Sequence, residues 1–90
     1  MPSSREFQIV NKRGLHARAS AKFVQVVEQF DAQVLVSKDG MTVGGTSIMG
    51  LMMLAASPGC CISVAAEGNE AAKALDALQD LIATRFGEEE

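Results

Sequence analysis

The chain has 90 residues, enough for one small domain spanning residues 1–90. Its composition, with 48% hydrophobic and 21% charged residues, is typical of a globular rather than a disordered protein. A formal net charge of −3, with four Phe and neither Trp nor Tyr, argues against nucleic-acid binding through a basic surface or stacking aromatic side chains. Adjacent Cys60 and Cys61 with a single histidine give no disulfide framework and no metal-ligand spacing. We therefore expect free thiols, no metal and a reducing cytoplasmic location.

Hydrophobic periodicity divides the chain into four predicted strands and three predicted helices. Alternating or β-branched runs indicate strands, whereas apolar residues three and four positions apart indicate helices. Asp39-Gly40 between two strand-like runs is a strong hairpin signal, and Ser57-Pro58-Gly59 ends the second helix. In chain order the predicted elements are strand 6–10, helix 17–30, strands 33–38 and 41–43, helix 48–56, strand 60–67 and a helix from residue 69 onward.

This order of elements predicts an α+β fold. We expect an open-faced two-layer sandwich: a four-stranded antiparallel sheet with three helices on one face and water on the other. The charge-free stretch 47–66 is long enough to resemble a membrane span, but the Ser-Pro-Gly turn at its centre favours two short buried elements. We therefore expect no membrane partner. Cys60 and Cys61 are expected on the last strand, one facing the core, as buried inert thiols.

Basic residues are concentrated near the histidine. Residues 7–27 contain no carboxylate, yet they hold four of the eight basic residues: Lys12, Arg13, Arg18 and Lys22. The segment is either a solvated face or a site for an anion or an acidic partner, and charge alone does not decide between them.

His16 stands where the predicted first helix begins. The amides of Ala17, Arg18 and Ala19 would be unpaired there, and the positive end of the helix dipole favours a phosphoryl group. The same dipole disfavours imidazolium, which keeps His16 neutral and nucleophilic, and Arg18 can hydrogen-bond a phosphate. With no acid–base partner expected nearby, a phosphohistidine would persist. The alternative is a solvated histidine that only caps the helix.

Two motifs in the chain resemble those of a known family. Gly-Leu-His-Ala-Arg at residues 14–18 resembles the active-site motif of HPr, the histidine-containing phosphocarrier of the bacterial phosphoenolpyruvate-dependent phosphotransferase system. Ser-Ile-Met-Gly at residues 47–50 resembles that family's second, regulatory motif, and the resemblance runs from about residue 7 to residue 86. The family commonly has proline where this chain has Ala19, but alanine is an excellent helix former, so we expect an intact helix.

The resemblance implies a function for the candidate residues. Phosphorylated enzyme I would phosphorylate His16 on its Nδ1 atom, assisted by Arg18, and the phosphoryl group would pass to an enzyme IIA-type acceptor. The protein would be a stoichiometric carrier without a cofactor rather than an enzyme. We expect a monomer, because a docking surface must stay available.

The second helix carries a regulatory and a docking hypothesis. By position, Thr46 or Ser47 simply caps this helix. The resemblance implies that Ser47 is phosphorylated by an HPr kinase/phosphorylase, which would add roughly two negative charges beside the docking surface.

The same helix is apolar all round, and a sandwich of this size cannot cover every side of it. We predict that Leu51 and Leu54 point inward. Ile48, Met49 and Met52 would then form an exposed docking patch beside His16.

Three other functions compete with the phosphocarrier. The first is a regulatory interaction module whose phosphorylation state signals to partners without sugar transport. The methionine-rich helix and the acidic C-terminus look similar to those of nitrogen-branch relatives of HPr. The identity of the phosphoryl acceptor would distinguish this function from the phosphocarrier. A small hydrolase is disfavoured by a single histidine without a nearby carboxylate. A nucleic-acid binder is disfavoured by the acidic net charge.

Overall fold

The computed structural model of the protein describes residues 3–88. Its strands are β1 (Ser3–Gln8), β2 (Gln33–Lys38), β3 (Met41–Gly44) and β4 (Cys61–Glu67), and its α-helices are α1 (Ala17–Val27), α2 (Ile48–Met53) and α3 (Ala71–Ala83). A short 3-10 turn over Arg85–Gly87 follows α3. The predicted order of strands and helices is confirmed.

The four strands form one antiparallel sheet in the order β1-β4-β2-β3. Burial alternates along β2 and β4, so that Val36, Ile62 and Val64 face the helices while Leu35 and Ser63 face solvent. The predicted open-faced α+β sandwich is therefore confirmed, since an antiparallel sheet can leave one face in water.

The predicted hairpin joins β2 to β3. Asp39 and Gly40 both have positive φ, 50° and 83°, which is the backbone twist that a two-residue hairpin turn requires. The Asp-Gly pair tolerates this conformation, and the turn places Lys38 opposite Met41 in the β2–β3 pairing.

The core lies between the sheet and the three helices. As predicted, Leu51 and Leu54 point into it. Its largest fully buried side chains include Phe23, Phe86, Ile9, Leu51, Ile62, Leu75 and Leu78. Within residues 3–88, none of the helices has the length and apolarity needed to cross a bilayer.

Two helices end earlier than their apolar patterns predict. The first stops at Val27 rather than residue 30, because the amides of Gln29 and Phe30 bond three residues back and tighten the last turn. The second stops at Met53 rather than residue 56, and Ala55 then adopts a left-handed φ of 53° that reverses the chain. Apolar periodicity continues past both ends because the following residues still pack on the core.

Strand and helix starts also differ slightly from expectation. The first strand covers Ser3–Gln8 rather than 6–10, although Ile9 still bonds to Gly59 and Cys60 through its backbone. Phe7 and Ile9 share the buried face of the sheet. The last helix begins at Ala71, not at residue 69.

The prediction that the cysteines are buried is wrong, and their inertness stays a prediction. Cys60 is only partly buried and lies before β4, while Cys61 begins β4 and is exposed. Strand alternation sends Ile62 to the core, so Cys61 must face the open side of the sheet. Hydrogen bonds from Ser57 lower the pKa of the Cys60 thiol, and the nearby Lys38 ammonium acts in the same direction.

Candidate functional site

His16 is the N-cap residue of α1, as the sequence predicts. Its backbone is extended (φ −74°, ψ 179°), its carbonyl accepts the first helical bond from Ser20 N at 2.8 Å, and its side chain takes no part in capping. The amides of Ala17, Arg18 and Ala19 make no hydrogen bond within the described residues. The helix start therefore offers three donors and a positive dipole end beside the imidazole.

The loop before His16 is bent at Gly14. This residue has φ +65°, and a Cβ there would clash with the carbonyl oxygen of Ala56. The same oxygen accepts a hydrogen bond from Leu15 N at 3.0 Å. The loop that leaves α2 is thus fastened to the loop that enters α1, and only glycine permits so close an approach.

Asn11 braces this loop from inside the protein. It is fully buried, and its Nδ2 donates to Gly14 O at 2.9 Å and to Glu88 Oε1 at 2.8 Å. Its Oδ1 is buried and has no hydrogen-bond partner among residues 3–88. The side-chain amide therefore connects the bend before His16 to the last described residue of the chain.

A carboxylate stands directly against His16. Glu88 Oε2 lies 2.8 Å from His16 Nε2 and 3.5 Å from an Arg18 guanidinium nitrogen, with the two closest side chains only 22% (His16) and 13% (Glu88) exposed. The expectation of no acid–base partner near His16 is wrong. It failed because Glu88 lies 72 residues further along the chain, and sequence patterns report only near neighbours.

The site keeps this carboxyl ionised. The hydrogen bond from Asn11 holds the pKa of Glu88 below its ordinary value, and the hydrogen bond from His16 and the charge of Arg18 act in the same direction. Hydrogen bonds to the charged form of an acid favour that form, so Glu88 is an acceptor at neutral pH.

The C-terminal segment is held in place against α1. Arg85, Phe86 and Gly87 all have positive φ (58°, 56° and 76°), which turns the chain back after α3. Phe86 is 1% exposed, and its carbonyl accepts a hydrogen bond from Lys22 Nζ at 2.6 Å. A buried aromatic ring and a charged hydrogen bond together bring Glu88 to the helix start.

Ser47, rather than Thr46, caps α2. Its Oγ accepts a hydrogen bond from Gly50 N at 3.0 Å, the usual N-cap arrangement. The residue thus has a structural role, and its phosphorylation stays a prediction.

The predicted docking patch of Ile48, Met49 and Met52 is exposed on α2, which packs against α1. Met53, which the sequence analysis missed, is 65% exposed, close to the 69% of Met49. Its helical spacing of four residues from Met49 is the signal that would have found it. Whether these side chains bind a partner stays a prediction.

No group of three or more His, Cys, Asp or Glu side chains within the described part of the chain could hold a metal ion. The site is instead a histidine, an arginine, a carboxylate and three amides around a helix start. These groups can place one nucleophilic imidazole nitrogen beside hydrogen-bond donors that suit the oxygens of a dianionic phosphoryl group.

Comparison with known proteins assigns the chain to a family. A family model described as the phosphorylation site of the PTS HPr component matches residues 3–84. The phosphocarrier protein HPr of Neisseria meningitidis is 53% identical over 83 residues, covering 92% of this chain and 93% of the relative. That of Cupriavidus necator is 50% identical over 86 residues, covering 96% and 97%.

Solved structures agree. The crystal structure of HPr-C-His from Thermoanaerobacter tengcongensis has a TM-score of 0.92 at 44% identity, covering 98% of this chain and 99% of that one. HPr from Bacillus anthracis has a TM-score of 0.85 at 41% identity, covering 90% and 96%. The chain belongs to the HPr family, the phosphocarrier of the bacterial phosphotransferase system.

Proposed function

We propose that the protein accepts a phosphoryl group on Nδ1 of His16 from phosphorylated enzyme I and passes it to an enzyme IIA-type acceptor. The observation that carries this proposal is the position of His16 at the start of α1, beside three backbone amides without partners among residues 3–88. Those amides and the helix dipole would stabilise the charge of the arriving phosphoryl oxygens.

Arg18 is the second contributor. Its side chain is 62% exposed, and its 3.5 Å contact with Glu88 is long for a hydrogen bond. The guanidinium is therefore weakly held and can turn to a phosphoryl group on His16, where it would form charge-assisted hydrogen bonds. The protein acts stoichiometrically in this proposal, as a carrier, a monomer and a cytoplasmic component.

Substitution of His16 tests the acceptor directly. After incubation with phosphoenolpyruvate and enzyme I, intact mass should show one added phosphoryl group on the wild type and none on His16→Ala. The added group should be lost in acid, because the P–N bond of a phosphohistidine hydrolyses there. Ser47→Ala is the matched control and should still be phosphorylated. Phosphorylation of His16→Ala, or an acid-stable product, would refute the proposal.

We propose further that the docking patch of Ile48, Met49 and Met52 meets an apolar partner surface, while nearby basic side chains meet its acidic rim. Lys12 and Arg13 are exposed on the loop before α1, and Arg18 is exposed on α1. An apolar centre with a charged rim is a common arrangement in transient complexes, where the rim mainly raises the association rate.

Phosphorylation of Ser47 by an HPr kinase/phosphorylase would oppose this docking in our proposal. Ser47→Asp introduces a negative charge but can still cap α2, and Ser47→Asn caps it equally well without charge. We expect Ser47→Asp to raise the KM of enzyme I for this protein about fivefold or more, an effect of about 1 kcal/mol on association, with Ser47→Asn unchanged. Equal KM values for the two variants would contradict regulation by charge.

A further inference from the structure

The hydrogen bond between Glu88 and His16 has a defined donor and a defined acceptor. Both oxygens of Glu88 are engaged by donors: Oε1 accepts from Asn11 Nδ2 at 2.8 Å, and Oε2 lies 2.8 Å from His16 Nε2. A carboxylate has no proton to give, so the proton in the contact with the imidazole must be on Nε2. A neutral imidazole carries one ring proton, and the other nitrogen, Nδ1, then keeps its lone pair.

We propose that Glu88 is the positioning residue of the phosphoryl acceptor: by accepting the Nε2–H hydrogen bond, its carboxylate fixes the tautomer and orientation of His16 that present Nδ1 as the nucleophile. This inference rests on the function proposed above. The hydrogen bond that one ring nitrogen makes determines the state of the other, as carboxylate–histidine pairs do in other sites.

The contact between Glu88 and His16 also suits the phosphorylated form of the histidine. In the transfer step the Nδ1 lone pair forms the new N–P bond, while the donor's bond to phosphorus breaks and its electron pair stays with the donor. The Nε2 proton does not leave, so the phosphorylated ring carries a positive charge facing Glu88. The carboxylate therefore stabilises the phosphorylated ring electrostatically as well as orienting the free one.

Glu88 is held firmly enough to fill this role. Asn11, which binds its Oε1, is fully buried and also bonded to Gly14 O. Two residues earlier, Phe86 is packed in the core and its carbonyl is bonded to Lys22. Asn11 fixes the Glu88 carboxylate, and Phe86 fixes the backbone that leads to it. A side chain held in this way can keep an imidazole in a single orientation, which a mobile side chain could not.

The substitution Glu88→Gln reverses the hydrogen bond without changing the size of the side chain. Asn11 Nδ2 still needs an oxygen, so the new amide should turn its oxygen to Asn11 and its NH₂ to His16. An NH₂ group only donates, so Nε2 becomes an acceptor and the proton moves to Nδ1. Glu88→Ala removes the contact without imposing either tautomer, and Glu67→Gln removes a matched charge from an exposed strand end.

The test combines a spectroscopic and a kinetic measurement on the full chain. Nitrogen-15 NMR of His16 should report the Nε2–H tautomer in the wild type and in Glu67→Gln, and the Nδ1–H tautomer in Glu88→Gln. The rate of phosphorylation by enzyme I should fall about tenfold in Glu88→Gln, less in Glu88→Ala, and not in Glu67→Gln. Thermal unfolding of each variant checks that the fold persists.

Each outcome discriminates. An Nδ1–H tautomer in the wild type would overturn the proposal, and so would an unchanged tautomer or an unchanged rate in Glu88→Gln. Equal rate losses in Glu88→Gln and Glu88→Ala would assign Glu88 a purely electrostatic role and likewise overturn it. If the wild type accepts no phosphoryl group at all, the proposed function fails, and the NMR tautomer still shows whether Glu88 controls the imidazole.

Discussion

Gly14→Ala should cost about 2–4 kcal/mol of folding stability and slow phosphorylation of His16. The alanine methyl would clash with the carbonyl oxygen of Ala56 while the backbone is held at φ +65°. Relief of that clash requires the loop to move, which breaks the bond from Leu15 N to the same oxygen and shifts His16 relative to α2. Urea denaturation measures the stability, and intact mass with enzyme I measures the transfer rate.

Gly40→Ala provides the matched control for this prediction. Gly40 also has positive φ, +83°, but no atom lies within 4 Å of a Cβ built there. Its substitution carries only the backbone strain, about 1 kcal/mol, and lies in the turn between β2 and β3 rather than in the loop before His16. If both variants lose equal stability, close approach to Ala56 is not what requires glycine at position 14.

Phe86→Ala should be the most destabilising single substitution near the site, at about 3–5 kcal/mol. The ring is 1% exposed and belongs to the main core, so its removal leaves a cavity under the C-terminal segment. Because a domain of this size has a stability of only about 5–10 kcal/mol, we also expect a lower melting temperature. Thermal unfolding followed by circular dichroism measures it.

The functional consequence of Phe86→Ala is separable from its cost in stability. Loss of the ring should free the segment that carries Glu88, so His16 should lose its tautomer preference at temperatures where the protein is still folded. Phe86→Leu keeps most of the volume and should retain the contact, whereas Met49→Ala, at a 69% exposed position, should change neither property. A fully folded Phe86→Ala with an unchanged His16 spectrum would show that the ring does not hold Glu88 in place.

Local sequence signals predicted the scaffold well. The Asp39-Gly40 turn, the apolar stripe of α1 and the cap position of His16 each depend on residues within a few positions of one another, and the structure has all three. The ends of α1 and α2 were predicted three residues too late. Apolar spacing reports which residues face the core, and it does not report where backbone hydrogen bonding stops.

Burial of individual side chains was only partly predictable. Leu51 and Leu54 were assigned correctly, because a short helix on a two-layer sandwich must expose one side. Cys61 was assigned incorrectly, because a run of apolar residues does not show which of them faces the open side of the sheet. That is decided only when pairing with β1 fixes the register of the strand.

The sequence by itself determined the order of elements, the hairpin and the position of His16 at a helix start, where we propose that it accepts a phosphoryl group. These depend on local propensity, capping and periodicity, which act over one or two turns of chain. Only the tertiary structure decided what surrounds His16. The carboxylate at position 88 reaches His16 because α3 and the buried Phe86 bring residues 85–88 back across α1, and Asn11 then binds it from the core. Contacts across 72 residues follow from packing, and no local pattern encodes them.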